Sequence, residues 1–88
     1  MNWTFLVVDD LEIEMNGTAS LLKRVYPAST TWTANSGTAA LNLLEERRTV
    51  PSLVLLDYGM PGMNGLEFLS EVRMRRWLDR VPVVMLSE

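Results

Sequence analysis

Three short apolar runs in this chain each stop at a polar residue. Phe5-Leu6-Val7-Val8 ends at Asp9-Asp10, Leu53-Val54-Leu55-Leu56 ends at Asp57, and Val81-Pro82-Val83-Val84-Met85-Leu86 ends at Ser87. The runs are continuous rather than alternating, which is the pattern of strands buried on both faces in a parallel sheet covered by helices. Pro82 lacks a backbone N–H and suits only the beginning of its strand. A fourth strand is expected over Ser29–Thr33, where Thr30, Thr31 and Thr33 flank Trp32. Its β-branched content favours a strand and its polarity places it at a sheet edge.

Helix-length segments separate these runs. Leu11, Met15, Ala19, Leu22 and Val25 recur at helical spacing, Gly17 interrupts them at a cost of about 1 kcal/mol relative to Ala, and Pro27 supplies the stop. Ser36 is the expected N-cap of a helix from Gly37 to about Arg48, with Ala40, Leu43 and Leu44 facing inward. Asn64 is the expected N-cap of a third helix from Gly65 to about Asp79, with Leu66, Leu69 and Val72 on its inner face. Strands alternating with helices imply a parallel α/β sheet with right-handed crossovers. At 88 residues, without linker, repeat or low-complexity tract, the chain is read as one domain, 1–88.

Composition removes several classes of function. Hydrophobic residues at 48% and charged residues at 22% argue against disorder. Eight Lys+Arg against eleven Asp+Glu give a net charge of −3, the wrong sign for a nucleic-acid module. With no Cys and no His there is no disulfide, thiol nucleophile, Ser-His-Asp triad or imidazole ligand, so any metal must be held by oxygen. The apolar runs fall far short of the roughly 20 residues that span a bilayer, and no basic-then-apolar leader opens the chain; the expected location is the cytoplasm and no membrane partner is expected.

In a parallel sheet all strands end on one edge, so Asp9, Asp10, Asp57 and Ser87 should converge there. Crowded carboxylates repel one another, and a hard divalent cation such as Mg²⁺, or Mn²⁺ in its place, relieves the repulsion. A carboxylate beside such an ion can attack phosphorus and form an aspartyl phosphate, with the metal neutralising the phosphoryl charge. Taken singly, each residue has a plainer reading: Asp9-Asp10 as a strand stop that favours the next helix dipole, Asp57 as a turn residue, Ser87 as an ordinary surface hydroxyl. The joint placement of all four, together with the segment after Asp57, shifts the balance away from those readings. Arg73, Arg75, Arg76 and Arg80 read as a solvated helix end, Trp3, Trp32 and Trp77 as packing or surface anchors, and Met60 and Met63 as filling beneath the acidic site.

The segment Asp57-Tyr58-Gly59-Met60-Pro61-Gly62-Met63-Asn64-Gly65 resembles the receiver domain of bacterial two-component response regulators. Asp9-Asp10 after the first strand, Asp57 after the third, Met60-Pro61, Met63-Asn64-Gly65, Ser87 after the fourth, and Asn35-Ser36-Gly37 with Ala39, Ala40 and Leu41 all match, and the likeness covers the whole chain. It implies a flavodoxin-like, doubly wound receiver with strand order second-first-third-fourth. Ligand binding at this sheet edge is already illustrated by folds of this kind, so that placement is not independent of the resemblance. The resemblance further implies Asp57 as the phosphoacceptor for a partner sensor histidine kinase. Asp10 would be a direct Mg²⁺ ligand, Asp9 a direct or water-mediated one, the main-chain carbonyl of Gly59 a third protein ligand, and Ser87 the switch hydroxyl. The chain would then be a phosphoacceptor and not an enzyme beyond self-dephosphorylation.

The family pattern continues with a helix, a strand ending in Lys and a further helix, so the expectation is a receiver truncated after the fourth strand, with phosphorylation impaired. A homodimer is expected through the surface so left open, with packing of bare sheet faces ranked ahead of pairing of the fourth strands. The alternative is a receiver-like interaction or dimerisation module without phosphotransfer. An aspartate-nucleophile phosphatase is disfavoured because the second Asp of that class would stand where Gly59 is.

Overall fold

A computed structural model describes residues 2–86. Four parallel strands, β1 (Thr4–Val8), β2 (Thr30–Ala34), β3 (Leu53–Asp57) and β4 (Val83–Leu86), alternate with three helices, α1 (Glu12–Val25), α2 (Gly37–Arg47) and α3 (Gly65–Met74). The sheet order is β2-β1-β3-β4, as expected. β1 and β3, in the middle, are the two that pair on both sides, with Leu6 opposite Trp32 and Val54, and Asp57 opposite Leu86. β2 is an edge strand, displaced by one residue from the expected span.

The principal core lies between one sheet face and the pair α2–α3. Leu6, Val8, Val54 and Leu56 point into it from the strands and meet Ala40, Leu41, Leu44, Phe68 and Val72 from the helices. Each large side chain so buried contributes about 1.5–3 kcal/mol. Ser36 caps α2 by accepting the Ala39 N–H at 3.0 Å, and Asn64 caps α3 in a reciprocal box with Glu67.

Three helical expectations need correction. Leu11 does not face inward: it is the residue preceding α1, 51% exposed, and Val25 is 57% exposed, leaving Met15 as the helix's buried anchor. Leu66 is exposed, and Phe68 takes the inner position with Val72 four residues on, because the burial stripe of α3 starts from Gly65 seated against β3. α3 also stops early. Arg75 is extended (φ −90°, ψ 118°), and a single 3-10 turn, Arg76–Leu78, follows. The Arg75 guanidinium reaches back to the Glu71 carbonyl at 2.7 Å and across to the Glu45 carboxylate of α2 at 3.1 Å. One of the four arginines of the expected solvated cluster therefore ties two helices together.

β4 begins at Val83 rather than Val81; Pro82 precedes it and offers its carbonyl to the Val54 N–H at 2.9 Å. Val83 and Met85 pack toward the core, whereas Val84 and Leu86 on the other face are 45% and 44% exposed. Trp32 and Trp77 pack against the core margin beneath the guanidinium groups of Arg47 and Arg48.

Candidate metal centre

β1 and β3 are adjacent and parallel, so the residues that end them emerge side by side. Asp9, Asp10 and Asp57 each present a carboxylate oxygen, and the three oxygens lie within 4.8 Å of one another. Asp9 is buried; Asp10 and Asp57 are partly exposed at the mouth. The Asp9 N–H extends the ladder to the Ala34 carbonyl at 3.1 Å, and its Oδ1 accepts the Leu11 N–H at 2.9 Å. Asp9 thus serves the turn into α1 as well as the acidic group, and its two readings are compatible.

Asp57 Oδ1 accepts the Gly59 N–H at 3.4 Å, which holds the Gly59 backbone beside that carboxylate. The loop behind it is closed by three devices. Met60 is buried beneath it, Gly62 turns the chain at φ +73°, and the Gly65 N–H donates to the Tyr58 carbonyl at 3.1 Å. Met63 packs over Gly37 at the start of α2, so a methionine does fill the loop on each side. Gly65 has a spatial role that its place in the motif alone does not express. A Cβ there would stand 3.0 Å from Tyr58 Cα and 3.3 Å from the Asp57 carbonyl oxygen. Its φ is not positive, so close approach rather than backbone freedom demands glycine.

Among the described residues no Lys or Arg forms an ion pair with the three aspartates; the ion pairs present join Arg47, Arg48 and Arg75 to glutamates elsewhere. Their mutual repulsion is therefore left for a cation to neutralise. All donors are hard oxygens, which suits Mg²⁺. At about 2.1 Å per ligand, Mg²⁺ sets its ligand oxygens about 3.0 Å apart when adjacent and about 4.2 Å when opposite. Asp9, Asp10 and Asp57, with oxygens grouped within 4.8 Å, would hold such an ion, directly or in part through water. Ser87 lies outside the described residues; it follows Leu86, which pairs with Asp57.

Residues 5–88 match the family described as the response regulator receiver domain. The chain belongs to this family. The receiver is 33% identical over 84 residues to the nitrate/nitrite response regulator protein NarL of Escherichia coli K12, covering 96% of this chain and 38% of that protein. Among solved structures, the N-terminal domain of a response regulator receiver protein from Methanoculleus marisnigri JR1 superposes with a TM-score of 0.83 at 35% identity, covering 94% of this chain and 64% of that one. The phosphorylated cyanobacterial phytochrome response regulator RcpA superposes with a TM-score of 0.88 at 26% identity over 99% of this chain and 66% of that one. The receiver thus spans well under half the length of its curated relative and about two thirds of these solved chains.

Proposed function

We propose that this receiver accepts a phosphoryl group on Asp57 from a phosphohistidine of a sensor histidine kinase. The observation that carries the reading is the meeting of three carboxylates, from the ends of two neighbouring strands, without a cationic side chain paired to them among the described residues. Asp10, Asp57 and the Gly59 carbonyl are assigned as Mg²⁺ ligands, with Asp9 binding directly or through water. When bound, the ion neutralises charge on the carboxylates and on the incoming phosphoryl oxygens.

The chain's own residues do the rest. The Gly59 N–H orients the Asp57 carboxylate. One of its oxygens attacks phosphorus as the P–N bond to the donor imidazole breaks, and the bonding pair leaves with the ring nitrogen. Ser87 is assigned the hydrogen bond to the new phosphoryl group. The protein is then a phosphoacceptor rather than an enzyme with a separate substrate. No helix among the described residues is long and apolar enough to cross a membrane; we place this signalling step in the cytoplasm.

Incubation of the 88-residue chain with acetyl phosphate and Mg²⁺ should add one hydroxylamine-labile phosphoryl group. Asp57→Asn should abolish it and EDTA should prevent it. Equal labelling of Asp57→Asn refutes the assignment.

A second component rests on separate observations. The chain exposes Val84 and Leu86 on β4 and Ile13, Leu21 and Val25 on α1, and large exposed apolar patches are uncommon on monomers. We read the chain as self-associating into a homodimer, the form most common among oligomers. Sedimentation equilibrium decides this: one 10.0 kDa species at every concentration overturns it.

A further inference from the structure

We propose that two copies of this chain join through the outer edge of β2, paired antiparallel about a two-fold axis at Trp32. This rests on the self-association reading and names its surface. β2 stands at the edge of the sheet opposite β4, so a strand added beyond β4 leaves it open, and the pairing uses no residue of α1. The ladder shows which groups of β2 are free. The Thr30 N–H donates to the Trp3 carbonyl, and the Ala34 carbonyl accepts from the Asp9 N–H. Backbone groups alternate sides along a strand, so Thr30, Trp32 and Ala34 serve β1. Thr31 and Thr33 turn their N–H and C=O groups outward, and among the described residues none of these groups makes a bond to another element. Thr30–Ala34 holds no charged residue, no Pro and no bulge, which are devices that keep an edge from pairing.

An axis at Trp32 makes this edge its own complement. It sets Thr31 of one copy opposite Thr33 of the other, and the reverse, with each pair exchanging both of its N–H···O bonds. Trp32 then faces Trp32 of the other copy in a non-hydrogen-bonded pair, where cross-strand side chains come closest, and aromatic pairs in that position stabilise a sheet. A second observation points to the same pairing. Thr31 Oγ1 is buried and has no hydrogen-bond partner, a state uncommon in folded proteins. Opposite it in the dimer stands the hydroxyl of Thr33, an exposed residue, and facing threonines hydrogen-bond across strands. A copy of β2 thus brings, in one register, a hydroxyl for Thr31 and a ring for Trp32, which an arbitrary extended segment does not. A five-residue edge buries little surface, so the dimer is weak and concentration-dependent.

Thr33→Pro removes an outward N–H and leaves the β1 ladder untouched, a placement that edge strands accept. Thr33→Lys puts a charge on the edge at an exposed position. In sedimentation equilibrium each should weaken the dimer at least tenfold, with circular dichroism unchanged; if Thr33→Pro disturbs the fold, Thr33→Lys carries the test. The Thr31 and Thr33 amides of the parent should exchange with deuterium more slowly as its concentration rises, because the dimer occupies them. The chain has no Cys, so introduced thiols report contacts cleanly. Thr31→Cys and Thr33→Cys chains mixed under mild oxidation should form a 31-to-33 disulfide in higher yield than either alone. A dimer unmoved by Thr33→Lys, with exchange at Thr31 and Thr33 independent of concentration, overturns the β2 edge and leaves self-association standing. A chain monomeric at every concentration overturns both.

Discussion

Two glycine-to-alanine substitutions in this chain should move stability in opposite directions, and the structure sets both magnitudes. At Gly65 the added methyl would lie 3.0 Å from Tyr58 Cα, 3.3 Å from the Asp57 carbonyl oxygen and 3.3 Å from Met85 Sδ. Two of these neighbours are backbone in the segment that carries the acceptor aspartate, so relief requires the β3–α3 loop to move by a few tenths of an ångström. Overpacking of this kind costs about 1–3 kcal/mol. The helix-propensity gain of Ala over Gly, about 1 kcal/mol at most, offsets only part of it. A net loss of up to about 2 kcal/mol follows from the two figures, equivalent to as much as about 8–16 °C in Tm for a domain of this size. At Gly17 there is open space and no positive φ, so Ala should stabilise by about 0.5–1 kcal/mol. Urea unfolding at low protein concentration measures both. Mg²⁺ titration of Gly65→Ala should also show weakened binding, since the displaced backbone flanks Asp57, while Gly17→Ala binds as the parent does. Equal shifts of the unfolding midpoint in the same direction would refute the close-approach argument.

Asp10→Ala should weaken Mg²⁺ binding at least tenfold, read from amide shifts during titration, because it removes the site carboxylate that has no hydrogen bond among the described residues. Asn64→Ala removes one half of the capping box on α3 and should cost about 1 kcal/mol in denaturant unfolding, with Asn64→Gly costing only a few tenths. Arg75→Ala breaks the α2–α3 tie to Glu45 and Glu71; both carboxylates are substantially exposed, so the loss should stay near 0.5–1 kcal/mol and shrink in high salt. The hydrogen bond to Glu45, helped by that to Glu71, raises the Arg75 pKa. A raised pKa on a cation stabilises at every pH below its unfolded value, so the Arg75 contribution does not fade between neutral pH and mild alkali; salt, not base, is the lever that removes it.

The central strands β1 and β3 were legible because their apolar runs are continuous. A run such as Leu53–Leu56 has no polar alternate that suits water, and the carboxylate after it marks where the chain leaves the interior. Ser36 and Asn64 were legible as caps because the capping bond is made within a few residues of the cap itself. The acidic site was legible for the same reason as the strands: parallel order brings strand ends to one edge, and Asp9, Asp10 and Asp57 are strand ends. The faces of the helices were not. Leu66 and Phe68 both fit a helical apolar pattern, and it is the packing of α3 on the sheet, with Gly65 close to Tyr58, that buries Phe68 and exposes Leu66. Periodicity likewise put Leu11 and Val25 inside, although α1 meets the sheet mainly through Met15 and leaves its outer ridge to solvent.

Local chemistry therefore established the alternation of elements, the caps that open α2 and α3, and the carboxylates that stand at the ends of β1 and β3. Tertiary structure decided the quantities that depend on two distant segments at once. These are the 4.8 Å grouping of carboxylates from β1 and β3, the end of α3 at an arginine bound to Glu45 thirty positions away, and the exposure of the Ile13–Val25 ridge. The physical reason is common to all three. A cap or a strand stop is made by atoms within a few residues along the chain, whereas burial, ion pairing and metal geometry depend on separations that exist only once the sheet has paired and the helices have packed on it.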